Sequence, residues 1–219
     1  DEPALIARGV ACHIGSQLTS IAPLVDAVRE VVALAEALRA AGTATLEHID
    51  VGGGLGIVYR DERPPAIADL VGAICACVPD RYTIVMEPGR SLVGEAGLLL
   101  TRVEYVKPGA VRRFVIVDAG MNDLLRPALY EAWHEVLPCN AARLDEAQVP
   151  SDVVGPICES GDWLARARGL AAQPGDLLAL SSAGAYGFVM ASNYNARPRP
   201  AEVLVEAGRY RPIRTRESL

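Results

Sequence analysis

Apolar residues first recur along this chain in short, nearly unbroken runs. Val10 to Ile14, Thr45 to Val51 and Tyr82 to Met86 are rich in β-branched side chains and predict buried strands. Between them the spacing lengthens to the helical period. Leu24, Val25, Val28, Val32, Ala35 and Leu38 recur every three or four positions, with Ser20 placed to cap the helix and Gly42 to stop it. Pro64 and Pro65 open a second such stretch, which carries Ile67, Leu70, Val71, Ile74 and Val78 and halts at Pro79. Residues 9–90 therefore predict β-α-β-α-β. Each polar motif of this half follows the carboxyl end of a predicted strand, where βα-barrels and open α/β sheets place their active sites.

After Gly97 the period changes. Leu98 to Val106, Phe114 to Asp118, Asp176 to Leu180 and Glu202 to Val205 alternate or run apolar, with turn signals at Lys107-Pro108-Gly109 and Gln173-Pro174-Gly175. These predict a second, mostly antiparallel β domain, so the expected division is 1–95 and 96–219. Met121 to Glu135 and Ala185 to Tyr194 read as short helices inside it, and Arg209 to Arg214 as a solvated terminal strand.

Composition narrows the partners. With 219 residues, 51% of them hydrophobic, the chain can bury a core, and a net charge of −6 argues against nucleic acid or an anionic membrane surface. No apolar run is long enough to cross a bilayer and no signal-peptide pattern opens the chain. Five cysteines form an odd set without a C-x-x-C pair, which suits a reducing cytoplasm and gives no metal-ligand spacing. A cytoplasmic location and no metal are expected.

The candidate chemistry lies in six motifs. Asp50-Val51-Gly52-Gly53-Gly54 ends a strand in bare glycine, the geometry that seats a phosphate on backbone amides, and equally that of a tight turn without a ligand. The spacing fits neither a Rossmann fingerprint, which needs glycine at Ile57, nor a P-loop, which needs a lysine here absent. His13-Ile14-Gly15-Ser16-Gln17 closes the first strand. Glu87-Pro88-Gly89-Arg90 puts a carboxylate and a guanidinium at another strand end, as a structural ion pair would. Asp118-Ala119-Gly120-Met121-Asn122-Asp123 precedes Arg126 and Tyr130, which share a helical face. In Cys158-Glu159-Ser160-Gly161-Asp162 the flanking carboxylates disfavour a thiolate and favour a protonated thiol, a proton donor. Gly184-Ala185-Tyr186-Gly187 presents a tyrosine on a permissive loop.

In chain order, beginning with the His13 motif, the six motifs resemble the diaminopimelate decarboxylase family, pyridoxal-phosphate enzymes of the alanine-racemase-like class. The resemblance runs from about Gly9 to Glu217. It implies decarboxylation of meso-2,6-diaminopimelate to L-lysine in a homodimer with composite active sites, on a barrel followed by a β domain. The implied cofactor contacts are His13 against the ring, Glu87 at the pyridine nitrogen, and Ser16, the amides around Gly53 and Gly54, Arg90 and Tyr186 around the phosphate. The implied substrate contacts are Arg90, Arg126 and Tyr130 at the far carboxylate and Glu159 at the far ammonium, with Tyr186 also touching the substrate. Cys158 would return a proton to the α-carbon, with His13 as the second catalytic residue.

One departure stands out. The class attaches its cofactor to a lysine on an early barrel strand, whereas the single lysine here, Lys107, lies in a Val-Lys-Pro-Gly turn. Three strands also cannot close an eight-stranded barrel. The chain is therefore expected to be the C-terminal half of such an enzyme, inactive by itself, comprising the last strands and helices of the barrel and the β domain. Two rivals remain: another basic amino-acid or polyamine-pathway decarboxylase of the class, whose substrate lacks a far carboxylate, and a non-catalytic binding homologue.

Overall fold

The computed structural model describes residues 4–218, so the expected domain limits at 1 and 219 fall outside it. The chain divides into two units that meet in sequence between Leu92 and Val93. Among the described residues no helix is long and apolar enough to cross a membrane.

The first unit alternates strand and helix: β1 (Gly9–Ala11), α1 (Ala22–Ala40), β2 (His48–Asp50), α2 (Ile67–Cys75), β3 (Thr83–Val85) and the short α3 (Arg90–Val93), which crosses the division. The three strands form a parallel sheet in the order β1-β2-β3, with Val10, Ile49 and Ile84 abreast. Leu24, Val28, Val31 and Ala35 turn one face of α1 inward, and Leu70 and Ile74 do so for α2. They close over Leu46, Ile49, Val51 and Tyr82 in one apolar cluster. The predicted α1 face is thus rotated slightly, with Val31 rather than Val32 buried and Leu38 at the rim.

Three boundaries differ from the sequence reading. Ser20 does not cap α1. The cap position is Ile21, without a side-chain bond, and Pro23 in the first turn sets the entry through its fixed φ. The run from Thr45 to Val51 pairs as strand only over His48–Asp50, because Thr45 instead bonds the Ala7 carbonyl through its hydroxyl. α2 ends at Cys75, before Pro79, while Pro64 and Pro65 form its extended approach.

The second unit is built on β4 (Leu99–Lys107), β5 (Arg113–Val117), α4 (Arg126–Tyr130), β6 (Val136–Pro138), β7 (Val149–Val154), β8 (Trp163–Leu170) and β9 (Leu177–Leu180). The sheet order is β6-β9-β4-β5-β7-β8, antiparallel throughout except for the β5–β7 pair, and its edge strands β6 and β8 touch. Val103, Val115, Val117, Val153, Leu164, Leu178 and Leu180 fill its interior. A hairpin of β10 (Glu202–Glu206) and β11 (Arg209–Arg214) turns at Ala207-Gly208, both at positive φ, and β11 is solvated as expected.

The two predicted helices of this unit shrink. Met121 to Glu135 holds only the single turn α4, ended by Glu131 at φ 53°. Ala185 to Tyr194 is a turn followed by a short 3-10 segment at Phe188–Met190, a second beginning at Tyr194. Strands β6, β7 and β8 carry no apolar alternation that announces them. In β7 the polar Ser151 and Asp152 are buried, because Arg113 donates to the Ser151 hydroxyl at 2.8 Å and the Ala167 amide to Asp152 at 2.7 Å.

The facing of β9 gives a direct test. Leu178 is fully buried and its neighbour Leu177 is 40% exposed. Leu178→Ala should cost about 2–5 kcal/mol in urea unfolding, and Leu177→Ala less than about 1 kcal/mol. Equal losses would mean that the register is wrong.

Candidate active site

In the first unit the carboxyl ends of the three strands converge on the glycine triplet. A side chain at Gly52, Gly53 or Gly54 would strike the carbonyl oxygens of Cys12, Glu87 and Gly15 at 2.2–2.3 Å, and Gly52 and Gly54 hold φ of +67° and +103°. Glycine is therefore required by the close approach of neighbouring backbone, whatever binds there. The Gly52 amide is taken by Asp50 Oδ1 at 2.9 Å, and the Gly53 amide donates to His13 Nδ1 at 3.2 Å. The Gly54 amide has no partner among the described residues. Because an amide can only donate, His13 Nδ1 is the accepting nitrogen and the proton lies on Nε2. Arg90, at the start of α3, donates to the Ser16 hydroxyl at 3.0 Å and to the Tyr59 hydroxyl, with its guanidinium over the Tyr59 ring. Ser16, Gly53, Gly54, His13 and Arg90 are thus brought together, with Glu87 joined to them through its amide, which bonds the Gly52 carbonyl at 2.8 Å.

In the second unit two loops are tied by one carboxylate. Asp162 is 5% exposed, and its two oxygens accept the Met121 and Ile157 amides, each at 2.6 Å. This joins the 118–123 turn, which leads into α4, to the β7–β8 loop that carries Cys158 and Glu159, both exposed. Asp118 and Asp123 serve the same turn: Asp118 accepts from the Thr101 hydroxyl and the Arg102 amide, and Asp123 from the Gly120 amide. Burial pushes the Asp123 and Asp162 carboxyls above their usual range, against the pull of these amides. Arg126 opens α4 and is buried, while Tyr130 closes it and is exposed. Tyr194 donates to Glu159; that bond, then burial and the charges of Glu159 and Cys158, push its phenol up. Tyr186 sits at φ 61° in a turn where Gly184 and Gly187 pass too close to the Val93 and Ala183 carbonyls for any side chain. An aromatic residue in the left-handed region is costly, and such strain gathers at functional sites.

Comparison with known proteins shows the family. A family model described as "Pyridoxal-dependent decarboxylase, C-terminal sheet domain" matches residues 25–184. The chain belongs to this family. Diaminopimelate decarboxylase of Neisseria meningitidis serogroup B is 52% identical over 219 residues, covering all of this chain and 52% of that protein. The Pseudomonas aeruginosa diaminopimelate decarboxylase is 53% identical over 212 residues, covering 96% and 50%. The crystal structure of the Helicobacter pylori diaminopimelate decarboxylase complexed with L-lysine superposes with a TM-score of 0.89 at 43% identity, covering 96% of this chain and 52% of that one. The chain spans about half the length of the relatives it matches.

A pyridoxal-dependent family implies pyridoxal phosphate, and the first unit has the donors such a group needs. A phosphate calls for amides, hydroxyls and a cation, and Gly54, Ser16 and Arg90 supply one of each. A pyridine nitrogen calls for a carboxylate, which Glu87 carries. Three residues missing from the sequence reading join the two sets: Tyr59 behind Arg90, Tyr194 behind Glu159, and His134, which contacts Arg126. Each meets its partner across a loop or turn, so no spacing rule announces it. The one available signal was Tyr194 between two turn-forming asparagines.

The raised carboxyl of Asp162 ties the stability of these loops to pH. A carboxyl raised in the folded state contributes stability that is complete below its unfolded value and lost as pH rises through the folded one. Asp162→Asn should remove part of the loss of stability as pH rises above the usual carboxylate range, read from urea midpoints compared with the parent protein; part remains, because Asp123 is raised as well. At neutral pH it should also cost about 1–3 kcal/mol, since one amide is left facing an NH2 group. An unchanged slope would place the titration elsewhere.

Proposed function

We propose that this chain is the C-terminal half of a pyridoxal-phosphate-dependent enzyme that decarboxylates meso-2,6-diaminopimelate to L-lysine and carbon dioxide. The observation that carries this reading is Arg126, a buried guanidinium at the head of a single helical turn with the Tyr130 side chain one turn further on. Diaminopimelate keeps a second carboxylate away from the reacting centre, and a planar fork is suited to grip it. A polyamine-type substrate would leave that cation without purpose. The relatives named for diaminopimelate decarboxylase support the substrate, and the one crystallised with L-lysine supports the product. The half-length match supports a second half that brings the lysine for cofactor attachment, since Lys107 ends β4 beside a hairpin of the β unit.

Bound pyridoxal phosphate supplies an electron sink for the pair left behind as carbon dioxide departs. Glu87 would keep a proton on the pyridine nitrogen, His13 would lie against the ring, and Ser16, Gly53, Gly54, Arg90 and Tyr186 would hold the phosphate. Gly53 enters this set through its grip on His13, because its own amide is already engaged. Arg126 and Tyr130, with Arg90, would orient the far carboxylate, and Tyr186 would touch the substrate as well. Glu159, steadied by Tyr194, would receive the far ammonium. The Cys158 Sγ–H would give a proton to the α-carbon. A cytoplasmic homodimer with composite active sites completes the reading.

The substrate is tested with purified full-length holoenzyme offered diaminopimelate, ornithine and arginine side by side. Lysine and carbon dioxide should form from diaminopimelate, and preference for either other substrate would overturn the proposal. Arg126→Leu should raise KM for diaminopimelate with the cofactor spectrum retained, by a loss of about 1.5–3 kcal/mol. An unchanged KM would remove Arg126 from the far carboxylate.

The composite site is tested by mixing two inactive proteins, Cys158→Ala and one lacking the cofactor lysine. Hybrid dimers should recover part of the activity. If hybrids form and activity does not return, both groups act within one subunit.

A further inference from the structure

We propose that His134 is a positioning residue that orients the Arg126 guanidinium toward the far carboxylate of the substrate. This rests on the assignment of Arg126 made above. The His134 ring is fully buried, with Nε2 at 2.9 Å from Arg126 Nη1 and Nδ1 at 2.9 Å from the Ser181 carbonyl oxygen. A guanidinium has only donors and a carbonyl only accepts, so one ring state satisfies both neighbours. Nδ1 carries the proton and gives it to Ser181, and the Nε2 lone pair receives the Arg126 N–H. The imidazole is neutral, and its direction is set at both ends.

The segment that carries the ring is held as firmly. The Arg168 guanidinium of β8 lies over the Trp133 ring and reaches the His134 carbonyl at 3.4 Å. The Ser181 amide donates to the Glu135 carbonyl at 3.0 Å, so Ser181 grips both the ring of His134 and the backbone beside it. Ser181 directly follows β9 and precedes the strained turn that presents Tyr186. The planar fork of an arginine has its donors in fixed directions, so holding one Nη removes the rotations of an otherwise flexible side chain. His134 thus fixes the orientation of Arg126 from a backbone that also leads to Tyr186.

The test separates orientation from mere packing. Glutamine can reproduce the Nε2 acceptor through Oε1, and asparagine only the Nδ1 donor. Full-length holoenzyme carrying His134→Leu, His134→Gln or His134→Asn would be titrated by calorimetry with L-lysine, which retains the far carboxylate, and with cadaverine, which lacks it. Kinetics with diaminopimelate would be run alongside. His134→Leu should weaken L-lysine binding about tenfold, as expected for a hydrogen-bonded charge left unoriented. Cadaverine affinity and kcat should change much less. His134→Gln should restore most of the L-lysine affinity, and His134→Asn should not.

Equal loss for both ligands, or rescue by asparagine as good as by glutamine, would overturn the proposal. If His134→Leu fails to fold, the glutamine and asparagine variants decide alone. Arg126→Leu serves as the control. If it leaves the preference for L-lysine over cadaverine unchanged, the assignment of Arg126 itself is wrong. If it abolishes that preference while no His134 variant alters it, only the positioning role fails.

Discussion

The second unit depends on the Asp162 carboxylate. Its two oxygens are each given to one backbone amide, Met121 on one loop and Ile157 on the other. The loops extend the neighbouring strands β5 and β7, the one parallel pair in the sheet. Parallel neighbours run out of sheet at the same end, so two chain segments emerge side by side with unpaired amides. A buried carboxylate is the compact answer to two such amides. It also demands bare backbone: a side chain on Gly155 would meet Asp162 Oδ2 at 2.5 Å and Gly120 Cα at 2.6 Å. Gly120, Gly155 and Asp162 are one device, and Cys158, Glu159 and the start of α4 hang from it.

The first unit solves the same end-of-strand problem with glycine alone. Three parallel strands deliver their carbonyls to one place, and the triplet lets the backbone pass between them. Its amides are then partly spent on the protein itself, on Asp50 and on His13. The bareness that suggests a phosphate loop is thus first a packing requirement. The charge comes from Arg90, whose contact with Ser16 spans most of the unit's length in sequence.

What could be read from the sequence follows from this. The β-α-β-α-β half was legible because apolar period and chain order coincide there, as at Leu24, Val28 and Ala35 or Leu70 and Ile74. β7 and β8 were not, because Ser151, Asp152 and Arg168 are polar residues in buried positions, and their partners lie many residues away. The helix expected from Met121 to Glu135 failed for a related reason. Its carboxylates and amides are used across the turn instead of along a helix, and Glu131 ends α4 in a left-handed conformation. The candidate site residues were read through motifs, and the side chains that brace them, Tyr59, His134 and Tyr194, were not.

The partner chosen for Arg126 bears on why a site would hold a cation this way. A carboxylate beside a guanidinium orients it strongly, but also cancels the charge a substrate would feel. The imidazole of His134, in the state its two neighbours dictate, accepts a hydrogen bond and carries no charge. That contact fixes direction and adds no negative charge of its own. In the proposed reading the guanidinium meets the far carboxylate of the substrate already directed, so less side-chain freedom is lost on binding.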